Sequence, residues 1–161
     1  MNKKLSQLID ESIKLELNVA KIYKFFYGTF PEDSDFWRKL GLEEEDHANI
    51  IKLGRDASGL CNPFPSELLA SSVQMLYKTN SKLILMLNEY NKKAPPREMA
   101  FNTALNIEKS AGELHFQLAI ETSPTSGIME VLQALNNGRK DHANRILAYM
   151  YDKGIEYSGE K

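Results

Sequence analysis

One short sequence occurs twice in this chain, as Glu44-Glu45-Asp46-His47-Ala48-Asn49 and as Arg139-Lys140-Asp141-His142-Ala143-Asn144, and the two copies hold two of its three histidines. On a helix, Glu44-x-x-His47 puts a carboxylate and an imidazole on one face, at the i, i+3 spacing where both can hold one metal ion. The second copy keeps the imidazole and carries Arg139 where the carboxylate would stand. Whether the chain holds two metal ions, one or none therefore turns largely on Arg139.

These residues need long helices to position them. Breaks at Gly28 to Pro31, Asn62-Pro63-Phe64-Pro65, Pro95-Pro96 and Ser123-Pro124-Thr125-Ser126-Gly127, with Gly154 near the end, divide the chain into five segments. Each has apolar residues at three- and four-residue intervals and none alternates with period two, which predicts an all-α protein. Helices are expected over 4–28, 33–57, 66–93, 97–122 and 126–153, with Ser66 and Ser126 as N-caps, Pro96 in a first helical turn and Gly154 after the last helix.

Polar groups interrupt four of the apolar stripes. The first helix aligns Ile9, Ile13, Glu16, Val19, Ala20, Tyr23 and Phe26; the helix after Pro96 aligns Phe101, Ala104, Leu105, Glu108, Ala111, His115 and Leu118. The second aligns Trp37, Leu40, Glu44, His47 and Ile51, and the last aligns Leu132, Leu135, Arg139, His142, Ile146 and Tyr149. Glu16 to Glu108 is a shift of 92 residues and His47 to His142 one of 95, so one helix hairpin is repeated with a small change in length. The segment from Ser66 to Lys93 then runs the length of the bundle as a helical crossover between the second and third bundle helices, at about 1.5 Å per residue. Its apolar residues cover the bundle or join two copies of the chain, with a homodimer the favoured expectation.

Brought together, the stripes gather Glu16, Glu44, His47, Glu108, Arg139 and His142 at one level of a four-helix core. Three buried carboxylates without cations or protons would repel and each would cost several kcal/mol of desolvation. A metal ion is the simplest remedy, and carboxylate with imidazole suits iron, manganese or zinc. Glu113 shares a face with Lys109, Asn106 and Gln117 and is set aside as a ligand. His115 lies two turns, about 10 Å, from Glu108 and is read, like Tyr23, as a core or supporting group. Glu43, Glu45 and Lys140 read as a solvated face. Asp46 and Asp141 are either surface groups or groups that orient a histidine on a neighbouring helix.

Composition excludes other classes. With 161 residues and 42% hydrophobic content the chain, residues 1–161, suits one domain. A formal net charge of −2 without a basic cluster offers nothing for nucleic acid or an acidic membrane surface. Neither a signal-like apolar start nor a bilayer-length apolar stretch is present, so the expectation is a soluble cytoplasmic protein. Cys61 is the only cysteine, which excludes an intrachain disulfide and a multi-cysteine metal site.

The four motifs resemble the ferritin-like di-iron carboxylate proteins, and among them the rubrerythrin group. That family carries a glutamate on the first and third bundle helices and Glu-x-x-His on the second and fourth. Glu16, Glu44 with His47, Glu108 and His142 match five of its six ligand positions; Arg139 stands at the sixth. The resemblance implies a ferritin-like four-helix bundle, iron as cofactor, and an oxidoreductase that acts on peroxide or dioxygen. With one cysteine the sequence holds no four-cysteine rubredoxin module, so a separate electron donor is implied. Glu16, Glu44 and Glu108 with Arg139 sum to −2, which one divalent ion balances, and a guanidinium can occupy the place of a second ion by pairing with carboxylates. The alternative expectation is a non-catalytic bundle holding one metal or none, with a structural or interaction role.

Overall fold

The computed structural model describes residues 3–58, 63–110, 116, 119–136 and 141–158, and every regular element among them is helical. The helices are α1 (Lys3–Thr29), α2 (Ser34–Asp56), α3 (Val73–Lys92), α4 (Arg97–Glu108), α5 (Gly127–Leu135) and α6 (His142–Asp152), with 3-10 turns at Pro31–Asp33 and Ser66–Leu68. Phe116 and 119–121 are helical as well. The expectations for Arg139, Lys140, Glu113, His115, Ala111, Leu118 and Cys61 lie outside the described residues. No described helix is long and apolar enough to cross a membrane.

The first two helices match their expected bounds within a residue or so, and pack against each other as a hairpin across the Pro31–Asp33 turn. The crossover segment is shorter than expected. Ser66 begins only a 3-10 turn, and α3 starts after Ser72, whose hydroxyl accepts from the Met75 amide at 3.2 Å. Pro63 and Pro65 cannot donate to a helical ladder, so the chain stays irregular until a serine can cap the next run. Once formed, α3 lies against α1. Buried Asn80 fixes its register, accepting from Asn18 Nδ2 at 3.0 Å and donating to the Glu11 carbonyl at 2.9 Å.

Two further expected helices are interrupted. The helix expected over 97–122 stops at Glu108, where Lys109 is its C-cap and Ser110 bends away. Pro96 is the N-cap of this helix rather than part of its first turn. The helix expected over 126–153 is two helices: Ser126 caps α5 as expected, α5 ends at Leu135, and α6 begins at His142. Asp141 has left-handed backbone angles (φ 59°, ψ 56°) and its carboxylate caps α6 by accepting from the Asn144 amide at 3.1 Å. A helix cannot run through that backbone; the i, i+3 relation expected between Arg139 and His142 involves Arg139, which lies outside the described residues. At the other end of α6, Gly154 (φ 62°) allows the Ile155 amide to reach the Met150 carbonyl at 2.8 Å and the Gly154 amide to reach Tyr151, a Schellman close.

The packed apolar residues fall into two clusters. One includes Val19, Tyr23, Phe26, Trp37, Leu40, Phe101, Leu105, Ile146 and Met150; the other includes Ile9, Ile13, Ala48, Ile51, Phe116, Met129 and Leu132. Along α1 the change of cluster flanks Glu16, and along α2 it flanks Glu44 and His47. Glu108 and His142 stand at the end of α4 and the start of α6. The polar residues of the four stripes therefore form a layer between two hydrophobic cores. At the far end of the first cluster Asp33, 1% exposed, is gripped by Arg97 through two hydrogen bonds of 2.7 Å and by the Tyr149 hydroxyl at 3.0 Å. That clamp ties the α1–α2 connection to α4 and α6.

Candidate metal centre

The structure brings Glu16, Glu44, His47, Glu108 and His142 together, each no more than 2% exposed. Glu44 is central. Its Oε2 lies 2.9 Å from His47 Nδ1 and its Oε1 lies 2.7 Å from His142 Nδ1. Outside this bridge, His47 Nδ1 is 3.5 Å from Glu16 Oε2, and His142 Nδ1 is 3.5 Å from Glu108 Oε2. The two imidazoles face each other nearly parallel, 5.2 Å apart. The arrangement is two half-sites, each an imidazole nitrogen with a carboxylate oxygen, joined by one glutamate.

Glu44 Oε1 and His142 Nδ1 lie within ion-pair distance, but among the described residues neither has a well-formed hydrogen bond, and nor does Glu16 Oε2. Buried polar groups left in this way are costly unless something else satisfies them. Glu44, His47 and His142 each present a ligand atom within 4.8 Å of the others. The donor set of carboxylate oxygen and imidazole nitrogen fits iron, manganese or zinc, as each half-site would leave positions open for water or a small substrate.

Charge is distributed around Glu44. Burial works against its ionised form, but the two imidazoles outweigh it and hold the carboxyl well below the usual range. Burial also opposes the imidazolium of His47, yet Glu44 and Glu16 raise it to about 9. His142 is likewise raised well above its ordinary value, burial being outweighed by Glu44, Glu108 and Glu43. Glu16 is pushed up to about 8, chiefly by burial and also by the charge of Glu44, against the pull of His47. Without metal the layer thus neutralises itself with protons.

Around this set, Tyr23, fully buried, donates a short hydrogen bond to Glu108 Oε1. This places it as a supporting group. Glu45 is exposed, as expected. Glu43 is the correction: far from lying on a solvated face, it is 8% exposed and accepts from His142 Nε2 at 2.9 Å. Arg145 holds the same carboxylate with both terminal nitrogens, at 2.5 and 3.2 Å. Burial alone would raise the Glu43 carboxyl, but the bonds from His142 and Arg145 bring it down to about 2. Asp141, entertained as a group orienting a histidine, is instead the cap of α6. The sequence did hold a signal for Glu43: Arg145 is three residues after His142, a cation on the histidine's own face that calls for an acidic partner.

No protein-family model, no curated protein and no solved structure matches this chain.

Proposed function

We propose that the Glu44 layer is a divalent-metal centre in a ferritin-like bundle of rubrerythrin type, and that the protein uses iron there to reduce peroxide or dioxygen. The observation that carries this reading is that buried Glu44, His47 and His142 each present a ligand atom within 4.8 Å of the others, with Glu16 and Glu108 each 3.5 Å from one of the imidazoles. His47 with Glu16 and His142 with Glu108 would each hold an ion, with Glu44 reaching both imidazoles. Two half-sites support up to two ions, where the charge count that included Arg139 favoured one. Ferrous iron bound there supplies electrons to an O–O bond.

The chain's own residues do the rest. Glu16, buried beside His47, would give up its proton to take its place at the ion. Tyr23 donates to one oxygen of Glu108, and the other lies 3.5 Å from His142 Nδ1. The two hydrophobic clusters on either side limit water to the polar layer. A separate electron carrier would be needed as the reductant. Loading the protein with ferrous iron without oxygen and adding hydrogen peroxide tests the reading: stoichiometric oxidation of the iron, abolished in Glu44→Leu, is expected, and iron that binds but does not react overturns the oxidoreductase part.

A second reading has its own support. Because His47 and His142 both pair with Glu44, ion pairs alone support the layer, and the bundle could serve as a metal-free or single-metal structural module. Its metal-free form predicts no change in thermal stability when ferrous iron, manganese or zinc is added, and its single-metal form a stabilisation without redox chemistry.

A further inference from the structure

Glu44 faces both imidazoles alike, but what lies behind them differs. His142 Nε2 is bonded to Glu43, and Glu43 is in turn held by the two-pronged grip of Arg145. The corresponding nitrogen of His47 has no hydrogen-bond partner among the described residues, and the ring lies against Phe116 with centroids 4.5 Å apart. Resting on the metal-centre reading above, we propose that the two half-sites are unequal: Glu43 and Arg145 make the His142 side the tight one, and the first ion binds there.

The physical argument concerns tautomer and orientation. A histidine that ligates through Nδ1 must carry its remaining proton on Nε2, and a carboxylate at Nε2 selects that tautomer, fixes the ring plane and strengthens the nitrogen as a donor. Glu43 supplies this to His142. Arg145 prevents Glu43 from turning to solvent, since its fork binds both carboxylate oxygens; the guanidinium, one third exposed, also keeps the buried charge of Glu43 compensated. Among the described residues His47 has nothing equivalent: no acceptor meets its Nε2, so nothing there selects its tautomer ahead of the metal. Removal of an outer hydrogen-bond partner of this kind lowers metal affinity by roughly 10–100-fold. The expected difference between the half-sites is of that size.

Glu43 and Arg145 are positioning residues under this proposal, so the test needs a readout that packing alone would not move. Protein with nitrogen-15-labelled histidine is titrated with zinc, and the ring nitrogens of His47 and His142 are followed by long-range proton–nitrogen correlation. In the wild type His142 is expected to adopt the Nε2-protonated, Nδ1-bound form with the first equivalent, and His47 to follow at roughly 10–100-fold higher free zinc. In Glu43→Ala the two should respond together. Glu43→Gln keeps an acceptor for Nε2 but loses the charge and the Arg145 fork; it should keep the His142 tautomer with an intermediate affinity. Glu43→Gln thus guards against misfolding as the cause of a loss in Glu43→Ala. Imidazoles that move in step in the wild type, whether one ion binds or two, overturn the inequality while leaving the metal centre standing. The same holds if His142 still leads in Glu43→Ala. No zinc-dependent change at either imidazole overturns the metal centre itself, and the inequality with it.

Discussion

Metal binding at this site must displace protons, and the number is large enough to measure. At pH 7, His47 (raised to about 9), His142 (raised well above its ordinary value) and Glu16 (raised to about 8) each carry a proton that a bound cation would expel. Filling both half-sites with zinc should therefore release about three protons, one from each group. At about 1.4 kcal/mol per proton and pH unit, the total binding free energy should strengthen by about 4 kcal/mol per pH unit between roughly pH 5 and 8. The metal-free protein should run the other way. His47 and Glu16 have folded values above their unfolded ones, so their stabilisation is complete below the unfolded values of 6.5 and 4.5 and is lost as pH rises through about 9 and about 8. Glu43 acts oppositely, with its contribution present above 4.5 and lost only as pH falls through about 2. Stabilisation by zinc should thus be small at pH 5 and large at pH 8. Calorimetric titration in buffers of differing ionisation enthalpy counts the protons directly. Fewer than one proton released on saturation, or a zinc-induced rise in melting temperature that is greatest at pH 5, would refute the electrostatic account of the layer.

Two further predictions concern the scaffold. Asp33→Asn removes the charge that receives two 2.7 Å bonds from Arg97; with Arg97 able to turn its one-third-exposed side chain to water, the loss should be about 2 kcal/mol, seen as a melting temperature lower by about 4–8 °C. Ser72→Ala, which removes the cap of α3, should cost about 1 kcal/mol in urea unfolding, whereas Ser66→Ala should stay within about 0.5 kcal/mol because Ser66 caps no α-helix.

The ligand candidates were legible because a carboxylate or imidazole inside an apolar stripe is conspicuous at helical period. Glu16, Glu44, His47, Glu108 and His142 were all found in this way, and the structure places them in one layer. Periodicity could not show which helix would run on. Asp-His-Ala-Asn lies inside α2 at residues 46–49 and begins α6 at 141–144, the same four residues in two backbone settings. The difference is upstream: Glu43, Glu44 and Glu45 favour helix, while Asn136-Asn137-Gly138 favours a stop, which frees Asp141 to cap. Glu43 was hidden for another reason. Next to Glu44, it lies about 100° around the helix, off the face that carries Glu44 and His47. Only the placement of α6 against that side, with His142 and Arg145 both reaching Glu43, turns an apparent surface residue into a buried one.

The central claim is that Glu44 and its neighbours bind metal. The most direct measurement is metal content per chain by elemental analysis, on wild type and Glu44→Leu purified without oxygen, offered ferrous iron and desalted. Near two irons per wild-type chain and none in Glu44→Leu is the predicted result. A wild type that retains no iron, or equal iron in both proteins, would contradict it.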